Sequence, residues 1–156
     1  DAAVKAARIR LVDAVRGVLP EGMPLFLRIS ATDWLDDGGQ TVEDSVRFAR
    51  MAKEHGCDVV DVSSAGNVPE SRPVYGRMYQ VPFAERIRYE AEVPVQCVGA
   101  VQGIDHVNTI LAAGRADLVA LARPHLEDPH LTLRAANELR HAGQRWPVQY
   151  EAARRR

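Results

Sequence analysis

The sequence predicts an α/β protein in which parallel strands alternate with helices, half of a (β/α)8 TIM barrel. Three observations carry that expectation. Apolar runs recur four times, at Leu25–Ile29, Asp58–Ser63, Val95–Gly99 and Leu118–Ala122. Such near-continuous runs are what parallel strands covered on both faces require. Each run is followed by a segment with helical spacing of apolar residues. The third run ends at Gly99 and the fourth meets Arg123. A glycine lets backbone N–H groups approach an anion, and a guanidinium supplies bidentate charge. Barrels commonly keep a phosphate after strands 7 and 8 and need ~250 residues. The 156 residues here supply four strands, hence half.

The elements follow in order. Val4, Ala7, Leu11, Val12, Val15 and Val18 form a helical stripe, stopped by Pro20-Glu21-Gly22. The first strand leads into a loop from Thr32 to Gly39. Thr41 and Asp44 have the spacing of a capping box. The helix they open runs through Val42, Val46, Ala49 and Ala52, and Gly56 takes the C′ position. The second strand is followed by a loop from Ser64 to Val81, longer than ordinary βα connections and therefore expected to be functional or mobile. Pro82 suits the first turn of a helix to about Ala91. After the third strand, Val107, Ile110 and Leu111 mark a helix closed by Gly114. The last helix is expected over Pro129 to His141. Residues 1–145 form the barrel part and 146–156 a tail.

Composition narrows the partners. A formal charge of −1 offers no electrostatic case for nucleic acid or a membrane surface. No apolar run approaches the ~20 residues that span a bilayer. The N-terminus has no signal-peptide pattern and no initiator methionine, which reads as a processed or cut piece. Cys57 and Cys97 lack CxxC spacing and read as buried thiols of a reducing, cytoplasmic compartment. His125 and His130 are five apart, off one helical face, and no metal set is expected. Asp58 and Asp61 point to opposite faces of one strand and are no acid/base pair.

The segments Leu27-Arg28-Ile29-Ser30-Ala31-Thr32-Asp33-Trp34, Asp61-Val62-Ser63-Ser64, Tyr79-Gln80-Val81-Pro82-Phe83-Ala84, Val98-Gly99 and Leu121-Ala122-Arg123-Pro124 with Asp128-Pro129 resemble the Old Yellow Enzyme family of FMN-dependent oxidoreductases. Within the family the segments look like those of the thermophilic-like ene-reductases. The reductase-like half of aminobenzoyl- and salicylyl-CoA monooxygenases is similar too. The likeness covers about Leu11 to Tyr150 and implies strands 5–8 of the family barrel. It implies FMN as cofactor, NAD(P)H as reductant, and an activated alkene or aromatic acyl-CoA-derived enone as small-molecule substrate. It also implies a homo-oligomer or fusion to an N-terminal half.

Carried over by position, Arg28 resembles the arginine at the flavin pyrimidine edge. Val98, Gly99 and Ala100 with Ala122 and Arg123 resemble the phosphate cradle, and Ser64 lies on the loop that nears the cofactor. The resemblance places the His pair or His-Asn that binds the substrate carbonyl, and the proton-donating Tyr, in the first half of the barrel, so no catalytic residue is assigned here. Ala152 stands where the branch carries an arginine that reaches a neighbouring subunit, with Arg154 as the substitute. Bland roles remain open at this stage. Arg28 could pair with an acid, Arg123 could cap a carbonyl, Trp34 could line the pocket or only pack, and Arg154-Arg155-Arg156 could be a solvated end. The competing functions are a non-catalytic half-barrel that self-associates or docks on a complementary half, and a sugar-phosphate barrel half. The Arg28-to-Trp34 segment argues against the latter.

Overall fold

A computed structural model describes residues 2–154, with side chains from residue 6 onward. The side chain of Val4 in the first stripe, and Arg155 and Arg156, lie outside what it describes. The helices are α1 (Ala2–Arg16), α2 (Val42–Glu54), α3 (Val81–Ala91), α4 (Ile104–Ala112), α5 (Arg123–Glu127) and α6 (Leu131–Glu138). The strands are β1 (Phe26–Ser30), β2 (Val59–Ser63), β3 (Val95–Cys97) and β4 (Leu118–Val119). A 3-10 segment, Val148–Ala153, follows. All four strands are parallel, in the order β1-β2-β3-β4. This is a parallel sheet with alternating helices, consistent with a barrel fragment.

Period-two alternation sorts the strand side chains onto two faces. Ile29, Val60, Val62, Val95 and Cys97 join Val46, Phe48, Ala49, Ala84, Ile87 and Ile110 in one core under the helices. On the other face, Arg28, Asp61, Gln96 and Leu118 stand in one row by register. Phe26 and Leu118 on that face are 45% and 42% exposed. Two carboxylates at the N-terminal edge tie strands together. Asp58 accepts the Leu25 N–H at 2.7 Å, and Asp117 accepts the Val95 N–H at 2.9 Å. Asp58 therefore serves Leu25 from outside β2, and Asp61 serves Arg28 from within it.

The capping box is present, with Thr41 Oγ1 accepting the Asp44 N–H and Asp44 accepting the Thr41 N–H. Gly56 has φ +88 at the exit of α2, the left-handed conformation a C′ glycine supplies without strain.

Five expectations need correction. The first helix buries Ile9 and Val12, whereas Leu11 is 63% exposed and Ala7 and Val18 also face outward. Only the Ile9–Val12 side meets the core, so the buried face is narrower than the apolar stripe. β3 stops at Cys97 because Gly99 and Ala100 both turn to positive φ, +115 and +51, and a left-handed pair leaves the ladder. β4 is correspondingly short. Arg123 opens the separate helix α5, with Pro124 in its first turn, rather than ending a strand. The last helix is Leu131–Glu138, because Arg140 adopts φ +51 beyond it.

Candidate functional site

Parallel strands deliver all their C-terminal ends to one side, so the connections after β1, β2, β3 and β4 gather there. The β1 connection is fixed by buried polar groups. Asp33 accepts the Gln40 N–H at 2.7 Å and the Asn67 amide at 2.8 Å. Gln40 Nε2 donates to Ser30 O and Ser45 Oγ, and Ser45 Oγ donates to Ala31 O. Every bond serves a group that burial would otherwise leave unpaired.

A second chain of bonds crosses three connections. Trp34 Nε1 donates to Ser64 Oγ at 2.9 Å. Ser64 Oγ donates to Gln80 Oε1 at 2.6 Å, and Gln80 Nε2 donates to Val98 O at 2.9 Å. Trp34 also stacks edge-on against Phe83, with ring centroids 5.2 Å apart. It is therefore held by packing and by Ser64.

Val98, Gly99, Ala100, Ala122 and Arg123 line one cavity of about 350 Å³. Among the described residues, the N–H groups of Gly99 and Ala100 meet no acceptor, and no carboxylate pairs with Arg123. Burial raises the Tyr79 phenol above its usual range, Tyr75 adds to the rise, and the Arg123 charge opposes it. The cavity thus combines unspent donors with an unspent cation, the chemistry that receives an anion. Glu127 also lines it.

Arg28 is elsewhere. It sits mid-strand in β1 with Nη1 3.1 Å from Asp61 Oδ2, and it lines a different cavity with Ser30, Ser63 and Asn67. Asp61 Oδ1 is buried without a hydrogen-bond partner among the described residues. Ser64 lines neither cavity but reaches the first through Gln80. A larger hollow of about 620 Å³ near the tail is lined by Arg140, His141, Trp146, Glu151 and Arg154 and shares no residue with the strand ends. Arg154 is tied back to Ala142 O at 2.7 Å.

Burial pushes the Cys97 thiol up to about 11 and raises Cys57 as well, and both are free. His130 packs on Tyr150, and His125 lies 3.4 Å from the Thr132 hydroxyl. Among the described residues, no three His, Cys, Asp or Glu converge as a metal set would. No helix among them is long and apolar enough to cross a membrane.

Two residues were given no site role from the sequence. Gln80 stands there only as a member of the Tyr79-to-Ala84 segment that carries the family resemblance. Asp61 could have been found as the acid for Arg28, because equal depth in adjacent strands puts the two side by side.

Residues 7–142 match the model of the NADH:flavin oxidoreductase / NADH oxidase family. An NADPH dehydrogenase of Geobacillus thermodenitrificans is 48% identical over 141 residues, 90% of this chain and 40% of that protein. NADPH dehydrogenases of Bacillus licheniformis and Bacillus subtilis are 41% and 40% identical, over 92% and 82% of this chain and 41% and 37% of theirs. The chain spans about two-fifths of the length of these relatives.

Proposed function

This chain belongs to the NADH:flavin oxidoreductase / NADH oxidase family, and on that premise we propose that it forms the phosphate-holding part of an FMN-dependent NAD(P)H oxidoreductase. In this reading residues 1–145 are strands 5–8 of a (β/α)8 barrel with their helices, and residues 146–156 are its tail. The single observation that supports it best is the cavity shared by Gly99, Ala100, Ala122 and Arg123, with its unspent N–H groups and guanidinium. An FMN phosphate fits that donor set in charge and in hydrogen-bond sense.

When bound, FMN supplies hydride transfer between NAD(P)H and an activated alkene or acyl-CoA-derived enone. The chain's own residues bind and orient. Gly99 and Ala100 N–H groups and Arg123 hold the phosphate. Val98 and Ala122 supply the backbone walls of the cradle, and Ser64 holds the loop beside it. Arg28, steadied by Asp61, is the cation assigned to the pyrimidine edge, where positive charge favours an electron-rich ring.

The test is an FMN titration of the full-length protein against its Arg123→Ala variant. Losing a charge-assisted bond should weaken binding by ~1.5–3 kcal/mol, with the flavin absorption spectrum unchanged. Equal affinities would refute the assignment.

A second reading rests on Phe26 and Leu118, apolar side chains exposed on the sheet face opposite the helices. A half-barrel exposing that face associates with a second copy or a complementary half. Sedimentation of the isolated chain as a monomer at micromolar concentration would dismiss it.

A further inference from the structure

We propose that Gln80 is a positioning residue for phosphate recognition: its side-chain amide clamps the Gly99–Ala100 turn so that the turn's N–H groups stay free for the anion. The proposal rests on the cradle reading above and adds to it the residue that builds the cradle.

Four observations carry it. Gln80 is 3% exposed, yet both ends of its amide are satisfied, by Ser64 Oγ and by Val98 O. A buried amide is costly unless paired, so this orientation is fixed rather than one of many. Gln80 is also the N-cap residue of α3, and its side chain makes no cap bond. The group that could have satisfied its own helix is spent on two other loops instead. On the far side of the turn, the Met78 N–H donates to Ala100 O at 3.3 Å. Residues 78 and 80 therefore hold the carbonyls on both sides of Gly99. Finally, a Cβ at Gly99 would lie 2.4 Å from Gln80 Nε2. The amide is pressed directly beneath the glycine, and the two residues define one another.

The turn needs such a clamp. Gly99 at φ +115 and Ala100 at φ +51 are conformations that cost free energy, and surrounding bonds must enforce them. Without the Gln80 bond, the Val98 carbonyl is free to rotate, and the turn can relax toward an extended ladder with β4. That relaxation would spend the Gly99 and Ala100 N–H groups on the sheet. Ser64 enters as the group that orients the Gln80 amide, so that nitrogen rather than oxygen faces Val98. Trp34 in turn anchors Ser64.

A merely structural role would weaken all flavin binding alike, whereas a clamp on the phosphate cradle should affect only ligands that carry the phosphate. The experiment compares FMN with riboflavin, which lacks it, by titration into the full-length protein and its Arg123→Ala, Gln80→Leu and Ser64→Ala variants. Arg123→Ala should cut the preference for FMN over riboflavin by roughly tenfold or more, and Gln80→Leu by about tenfold, with riboflavin affinity nearly unchanged. Ser64→Ala should cut it by about threefold, and it carries the test alone if Gln80→Leu does not fold. If Arg123→Ala lowers the preference while Gln80→Leu and Ser64→Ala leave it unchanged, or weaken both ligands equally, Gln80 is only a packing residue and the proposal falls while the cradle stands. If Arg123→Ala leaves the preference intact, the cradle reading itself fails.

Discussion

Replacing Gly99 with alanine is the sharpest probe of the turn after β3. Two costs add. Alanine at φ +115 occupies a region that L-residues avoid, worth about 1–3 kcal/mol. The added Cβ would also lie 2.4 Å from Gln80 Nε2 and 3.0 Å from its Cδ and Cγ. That amide is buried and bonded at both ends, so it cannot swing aside cheaply, and overpacking of this kind costs roughly 1–3 kcal/mol. The sum is about 2–6 kcal/mol. Denaturant unfolding of the full-length protein measures it. The same substitution in a Gln80→Ala background separates the terms, because the steric part vanishes there while the strain remains. The expected cost in that background is about 1–3 kcal/mol, and the difference between backgrounds is the coupling between the two residues. A cost below about 0.5 kcal/mol, or equal costs in both backgrounds, would refute the reasoning.

Three further outcomes are expected. Arg88 donates two hydrogen bonds to Asp117 and the Val95 N–H a third, which together hold the carboxyl below its ordinary 3.8. The stabilisation is complete above that value and is lost as pH falls through the lower folded value. Unfolding midpoints between pH 2.5 and 5.5 should therefore fall more steeply for the wild type than for Asp117→Asn, and parallel curves would contradict this. Burial keeps the Cys97 thiol protonated up to about 11. Thiol labelling at pH 8 should be slow in the native protein and fast in urea, and rapid native labelling of a Cys57→Ser variant would count against that burial. The isolated chain with excess FMN and NADPH should not reduce cyclohexenone above the rate of free FMN. The substrate-binding and proton-donating residues that the family resemblance implies have no counterpart among its 156 residues. Turnover above background would mean that they do, or that two copies rebuild a site.

The strands were legible because apolar residues recur at every second position, Val60 and Val62 or Val95 and Cys97, on the face that the helices cover, while Asp61 and Gln96 alternate with them on the other face. Their parallel order was legible from the helical segments that separate them, since parallel neighbours need such a crossover. The capping box at Thr41 and the stop at Gly56 were legible because caps are local chemistry. Strand ends were not. Whether β3 continues past Cys97 depends on Gln80, seventeen residues upstream of it, holding Val98 and leaving no room for a side chain at Gly99. The narrow buried face of α1 was hidden for a related reason. Leu11 has the right spacing, but what lies opposite it is a property of tertiary placement. At the site, Gly99 and Arg123 were found as residue types that suit an anion, and the structure puts both on one cavity. Arg28 was singled out too, but it lines another cavity, and its pairing with Asp61 and the Gln80 bond to Val98 O depend on the register and the loop path.

We propose above that the turn at Gly99–Ala100 and Arg123 hold the phosphate of FMN. A crystal structure of the full-length protein with FMN tests it most directly, through the distances from the phosphate oxygens to the Gly99 and Ala100 nitrogens and to the Arg123 guanidinium. Contacts of about 2.7–3.2 Å are expected to the guanidinium and to at least one of the two N–H groups, with the Gln80 amide still bonded to Val98 O. A phosphate seated away from Arg123, for example against Arg140 and Arg154 in the hollow near the tail, would contradict it.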